Sequence, residues 1–163
     1  MMKWQASPGQ MADEWEIKRL ALLYARAMDR NQPEILDEIF TEDGVIDRAG
    51  QLRNGRAVVR TTPAMLSERY LSTFHSVHNQ LVTVTGPDTA EGETYCHAEH
   101  LERDRGGGNT VYTMAIRYSD QYVRDGGKWR FKRRTLTVEW TDVRTVQWSK
   151  AKVLAALAAE KRD

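Results

Sequence analysis

The chain has 163 residues, 40% hydrophobic and 29% charged, with 24 basic residues set against 23 acidic ones and a single cysteine. That length supplies one domain with a sizeable core, and the near-cancelled charge excludes a dominant electrostatic field, so a general nucleic-acid or membrane-surface binder is not expected. The lone Cys96 excludes an intrachain disulfide and any cysteine-rich metal site, and no apolar run approaches the roughly 20 residues of a membrane span.

Residues 1–12 read as a loose leader punctuated by Ser7-Pro8-Gly9. They lack the apolar stretch of a secretory signal, so the expected compartment is the cytoplasm. Asp13 is placed to cap a helix, with Glu16 three residues on in the manner of a capping box. Ile17, Leu20, Ala21, Tyr24 and Met28 then share one helical face, and the pattern ends at Asp29-Arg30-Asn31. Pro33 opens a short second helix reaching Phe40. Glu42-Asp43-Gly44 is a turn, and Val45-Ile46 begins a short strand. A further helix is expected over 56–70, which Pro63 must kink or break. Four strand-like runs follow at 73–85, 89–104, 109–124 and 128–140. Gly86-Pro87-Asp88, Gly106-Gly107-Gly108 and Asp125-Gly126-Gly127 separate them as hairpin turns, which implies an antiparallel sheet. Residues 145–160 are rich in alanine and read as helical, within a tail over 141–163. Helices first and strands after them give an α+β domain over 13–140.

Strand parity carries information about function, because successive side chains alternate between faces. His75, Val77, Asn79 and Leu81 fall on one face of their run. Tyr112, Met114, Ile116, Tyr118 and Tyr122 share a face of theirs. In the last run Trp129 and Phe131 have one parity while Leu136, Val138 and Trp140 have the other. A β-bulge near Lys132-Arg133 reconciles the two halves and turns Arg134 to the Trp129 face. The result is an apolar sheet face studded with tyrosines, a histidine, an asparagine and an arginine. An ordinary core avoids unpaired polar groups, whereas a small-molecule pocket needs a few of them. Asn79, Tyr112, Met114, Ile116, Tyr118 and Trp140 are therefore the expected substrate-contacting residues. The alternative is a solid core with a few satisfied polar groups.

The segments Leu-Tyr-Ala-Arg-Ala-Met-Asp-Arg (23–30), Ile-Phe-Thr-Glu-Asp-Gly (39–44), Thr-Phe-His-Ser-Val-His-Asn (73–79) and the strand–turn–strand element 118–134 ending in Trp129 and Arg134 occur in this order. In that order they resemble the SnoaL-like branch of the nuclear transport factor 2-like superfamily. The resemblance implies a cone-shaped α+β barrel, a curved antiparallel sheet wrapped around N-terminal helices with an internal pocket, assembled as a homodimer or homotrimer. It is similar at these positions to scytalone dehydratase, bile-acid 7α-dehydratase and hexachlorocyclohexane dehydrochlorinase. That implies elimination without a cofactor or metal, from a small hydrophobic molecule, by a histidine base supported by an aspartate.

Residue by residue, the resemblance puts His75 at the catalytic histidine and Asp29 at its acidic partner. Tyr24 falls at a site tyrosine and Arg134 at the arginine after the Trp motif, placed to hold a carboxylate or phenolate. Helical periodicity by itself does not direct Asp29 inward, since it lies about 140° around an ideal helix from Tyr24. The second histidine of the scytalone enzyme has no clear counterpart, His97 and His100 both being near. His78 and His75 have opposite strand parity, as do His97 and His100, so neither pair makes a metal site in a strand. The same fold also serves polyketide cyclases, epoxide hydrolases and the non-catalytic small subunits of ring-hydroxylating dioxygenases, and fold alone does not choose among them.

Overall fold

In the computed structural model, which describes residues 7–103 and 109–146, the first helix starts earlier than its acidic residues suggest. Helix α1 spans Pro8–Arg30. Ser7 caps it, with Gln10 completing a reciprocal capping box, and Pro8 sits at the first turn where its missing N–H costs nothing. Of the expected leader, residues 7–12 thus belong to the capped helix, and 1–6 lie outside the described residues. Asp13 and Glu16 are not caps. Asp13 accepts hydrogen bonds from the Trp129 indole at 3.0 Å and from Arg124 at 2.7 Å, and Glu16 accepts from the Trp129 backbone N–H at 2.9 Å. Arg124 also stacks over the Trp129 ring at 4.6 Å. The strand–turn–strand motif is therefore a clamp on the start of α1. Replacing Asp13 with alanine is expected to cost roughly 1.5–3 kcal/mol, the range for hydrogen bonds to charged groups, read as a lower urea midpoint at unchanged slope.

Helix α2 spans Pro33–Ile39 and strand β1 Phe40–Arg48, so the expected turn at Glu42-Asp43-Gly44 lies inside β1, where its register slips between Phe40 and Val45. Strand β2, Gln51–Asn54, returns as a hairpin. The segment 56–70 is broken as Pro63 requires, into α3, Arg56–Val59, and α4, Thr62–Arg69, with Pro63 in the first turn of the latter. Strands β3, Ser72–Gly86, β4, Thr89–Arg103, β5, Asn109–Asp125, and β6, Lys128–Val146, follow. The sheet order is β2-β1-β6-β5-β4-β3. Every pairing is antiparallel except β1 with β6, which is parallel, so the sheet is mixed and not purely antiparallel as expected. β6 continues to Val146, and the rest of the expected C-terminal helix lies outside the described residues, as does the Gly106-Gly107-Gly108 turn.

Bulges decide what each face carries. Between Gln121↔Arg133 and Tyr122↔Phe131, β6 holds one extra residue, Lys132. This is the expected bulge, and it places Trp129, Phe131 and Arg134 on the same buried face. A second extra residue, Glu139, falls between Ile116↔Val138 and Ala115↔Trp140. A third interrupts β3 between Val77↔Cys96 and Gln80↔Thr94. The sheet curves around α1, whose buried side chains Ile17, Leu20, Tyr24 and Met28 enter the core with Phe40, Trp129 and Phe131. Among the described residues no helix is long and apolar enough to cross a membrane.

Candidate active site

Asp29 reaches the sheet because the sheet bends around the helix. Tyr24 faces β5 and β6, with its ring 6.0 Å from Tyr118 and 6.3 Å from Phe131. On the flank turned to β3, the Lys18 carbonyl accepts from Gln80 at 3.0 Å. Asp29 is eleven residues from Lys18, which is within about 20° of the same helical direction. Two residues far apart around α1 thus both meet the same curved sheet.

The Asp29 carboxylate is the acceptor for three donors from β3. One oxygen takes the His75 backbone N–H at 2.8 Å. The other lies 2.6 Å from His75 Nδ1 and accepts the Thr73 hydroxyl at 2.9 Å. Burial pushes the Asp29 carboxyl up, but the hydrogen bonds and charge of His75 and the Thr73 hydroxyl outweigh it, and the net shift is downward. An ionised Asp29 makes Nδ1 the protonated nitrogen of neutral His75 and leaves Nε2 with its lone pair.

His75 lines a cavity of about 360 Å³. α1 gives it Tyr24 and Met28, the β1–β2 hairpin gives Ile46, Arg48 and Arg53, α4 gives Met65 and Leu66, and β5 gives Met114, Ile116 and Tyr118. Burial raises the Tyr24 phenol to about 12 and the Tyr118 phenol well above its ordinary range, so both stay protonated and can donate. Their rings are held by Arg134, whose guanidinium sits 4.5 Å from the Tyr24 centroid and 4.0 Å from that of Tyr118.

Tyr24, His75, Met114, Ile116 and Tyr118 therefore stand around the cavity, with Asp29 directly behind His75. The other expected contacts do not line it. Arg134 is fully buried and makes a two-pronged ion pair with Asp120 at 2.9 and 2.8 Å, so its cation is spent inside the protein. The bulge in β3 turns Asn79 to the outer face of the sheet, beside His78 and His97. The Glu139 bulge does the same to Trp140, which is 53% exposed with its ring 5.4 Å from His97. Tyr112 is one layer back, packing its ring 6.2 Å from that of His100, while its backbone carbonyl accepts from His100 Nδ1 at 3.4 Å.

His100 is a cavity residue that motif order left ambiguous. It pairs with Thr73 across β4 and β3, which puts it on the His75 face, and its ring lies 5.9 Å from His75 and 4.5 Å from Tyr70. Burial, with the neighbouring His75, lowers its pKa to about 4, so it stays neutral at physiological pH. The signal available was parity: His100 shares the parity of buried Cys96 and Ala98. Asp120 was legible in the same way, sharing parity with Tyr118 and Tyr122 and lying opposite Arg134. Among the described residues no group of three or more His, Cys, Asp or Glu side chains is placed to hold a metal ion.

The family model described as a SnoaL-like domain matches residues 9–135. The uncharacterised protein Rv2910c of Mycobacterium tuberculosis is 29% identical over 133 residues, 80% of this chain and 88% of that one. Two similar solved structures are the Kfla4162 protein of Kribbella flavida and a type 2 hexachlorocyclohexane dehydrochlorinase, LinA. The first has a TM-score of 0.73 at 20% identity, covering 81% of this chain and 94% of that one. The second has a TM-score of 0.74 at 18% identity, covering 85% and 94%.

Proposed function

The chain belongs to the SnoaL-like domain family, within the nuclear transport factor 2-like superfamily, and from that premise we propose that it is a cofactor-independent lyase or isomerase, foremost a dehydratase, acting on a small ring-containing molecule. The observation that carries this reading is the Asp29–His75 pair at the wall of a cavity. His75 Nε2 takes a proton α to a carbonyl, or anti to a leaving group, and Asp29 stabilises the imidazolium that forms. As the C–H electrons form the new double bond, the C–O bond breaks. The proton on His75 passes to the departing hydroxyl, which leaves as water. Tyr24 and Tyr118 donate to the oxygen that gains charge along the way, and as fixed donors in a buried site they need no reorganisation to do so. Isomerisation uses the same groups, with the proton returned to a different carbon. The likeness to a dehydrochlorinase fits elimination of this kind.

The test is turnover of a panel of cyclic β-hydroxy carbonyl compounds by the wild-type protein and by His75→Ala. The expected result is dehydration of at least one member by the wild type, slowed about 10²–10⁴-fold in the variant, the usual contribution of a positioned base. Equal rates in both proteins would remove His75 from the mechanism. Binding of panel members with no turnover by the wild type would assign the cavity to a non-catalytic ligand carrier.

A further inference from the structure

The near-neutral composition suggests an uncharged ligand, but the charges are not spread evenly. Strand pairing Ile46↔Arg53 and Arg48↔Gln51 puts these four residues on one face of the β1–β2 hairpin, and all four line the cavity. Arg48 and Arg53 are therefore diagonal neighbours, about 7–8 Å apart in such a pair, and both side chains line the cavity. The acids of β1 are engaged elsewhere: Glu42 with Arg56, Asp43 with Lys132 and Asp47 with Arg133. Among the described residues no Asp or Glu lines the cavity.

Neither arginine has a carboxylate partner among the described residues. Arg48 leans across to β5, where its guanidinium meets the Met114 sulfur at 3.8 Å. Arg53 donates through Nη2 to the Val58 carbonyl at 2.8 Å and to the Thr61 hydroxyl, while its Nε is shut off from solvent with no hydrogen-bond partner. Two like charges on one hairpin face repel, and an unmet buried donor carries a desolvation cost. An anion between them offsets the repulsion. Below the pair the wall is Ile46, Met28, Leu66 and Ile116, which suits an apolar body.

We infer that the molecule taken up by the cavity is an amphipathic carboxylic acid, its carboxylate held by Arg48 and Arg53 and its apolar body extending toward His75. The assignment rests on the reading of this cavity as the substrate site, and it names the class of substrate. Arg-carboxylate recognition of this kind is directional and charge-assisted. It also fixes which end of the substrate faces the base.

The probes are trans-cinnamate and its near-isosteric neutral analogue cinnamamide, with phenyl phosphate as a second anion. Binding to the full chain is measured by calorimetry at pH 7 and low salt. Cinnamate is expected to bind at least about tenfold more tightly than cinnamamide, the ratio for losing a charged hydrogen bond, and to weaken as salt is raised. Arg48→Gln and Arg53→Gln are each expected to weaken cinnamate about tenfold and to weaken cinnamamide less. Equal affinity for acid and amide in the wild type would overturn the assignment without recourse to any variant. Tighter binding of phenyl phosphate than of cinnamate would overturn it in favour of a phosphorylated ligand. The two readings fail separately. Loss of the acid preference with His75-dependent turnover intact sinks only the carboxylate. Cinnamate preferred over cinnamamide, with no panel member turned over by the wild type, sinks only the lyase.

Discussion

Replacing Asp29 with asparagine is expected to reduce kcat by about 10²–10⁴-fold, as much as losing a general base, while leaving the protein folded. The reason is the number of donors that the carboxylate serves. Its two oxygens accept from the His75 backbone N–H, from His75 Nδ1 and from the Thr73 hydroxyl. Asparagine offers one oxygen and one NH2. The backbone N–H cannot change its role, so the amide oxygen must face it, and the NH2 then faces Nδ1 and Thr73. The Thr73 hydroxyl can rotate to accept, but Nδ1 must give up its proton to do so. His75 is driven into the tautomer that carries the proton on Nε2, where the base needs a lone pair. The opposite amide orientation sets an N–H against an N–H and leaves a backbone donor unmet, at a cost of about 1–3 kcal/mol. Two measurements check this. Thermal unfolding should show a modest loss, and 15N NMR of the His75 ring should show protonation moving from Nδ1 to Nε2. Full activity in Asp29→Asn, with the tautomer unchanged, would mean that Asp29 does not set the state of His75.

How far these residues were legible in the sequence depended on whether the chain kept its period. The order of elements, the Pro63 break and the Lys132 bulge all follow from local rules. Proline fixes its own backbone and denies a hydrogen bond, and a parity conflict between two buried stretches of one strand demands an extra residue. Met114, Ile116 and Tyr118 reached the cavity because β5 runs in step with β4 from Asn109 to Val123. Asn79 and Trp140 were lost to bulges with no parity conflict to betray them, since the residues beyond each are polar or tolerant of either face. Asp29 is the opposite case. Its helical direction points away from Tyr24, and only the curvature of a sheet formed fifty to a hundred residues later brings β3 around to meet it. Such curvature is a tertiary property, carried in no window of sequence. The arginines of the hairpin were hidden for another reason. Net charge sums over the surface and cannot show that three acids of β1 pair away from the cavity while Arg48 and Arg53 do not.

Arg134→Met is expected to destabilise the protein by about 3–5 kcal/mol, the cost of stranding one member of a buried ion pair, and this is a large part of a typical total of 5–15 kcal/mol. The side chains of Arg134 and Asp120 are 1% and 0% exposed. Burial works against the Arg134 cation, but Asp120 outweighs it and the guanidinium is held charged. Remove the arginine and, among the described residues, Asp120 keeps only the Tyr122 hydroxyl, at 3.0 Å. A lone phenol does not compensate a carboxylate with no access to water, so the group either stays charged at high cost or takes up a proton. The double variant Asp120→Leu/Arg134→Met should recover much of that loss, because apolar side chains in place of a buried pair are often neutral or better. Stability and activity should then part company. Arg134 lies between the rings of Tyr24, Tyr118 and Phe131, 4.0 to 4.5 Å from each centroid, and methionine cannot reproduce that planar stack. The double variant is therefore expected to regain its denaturation midpoint yet keep a lowered kcat, with the Tyr24 and Tyr118 hydroxyls no longer fixed over the cavity. A single Arg134→Met variant as stable as the wild type would show that the pair is not held buried and charged. A double variant with both stability and kcat restored would show that the arginine contributes nothing to placing the tyrosines.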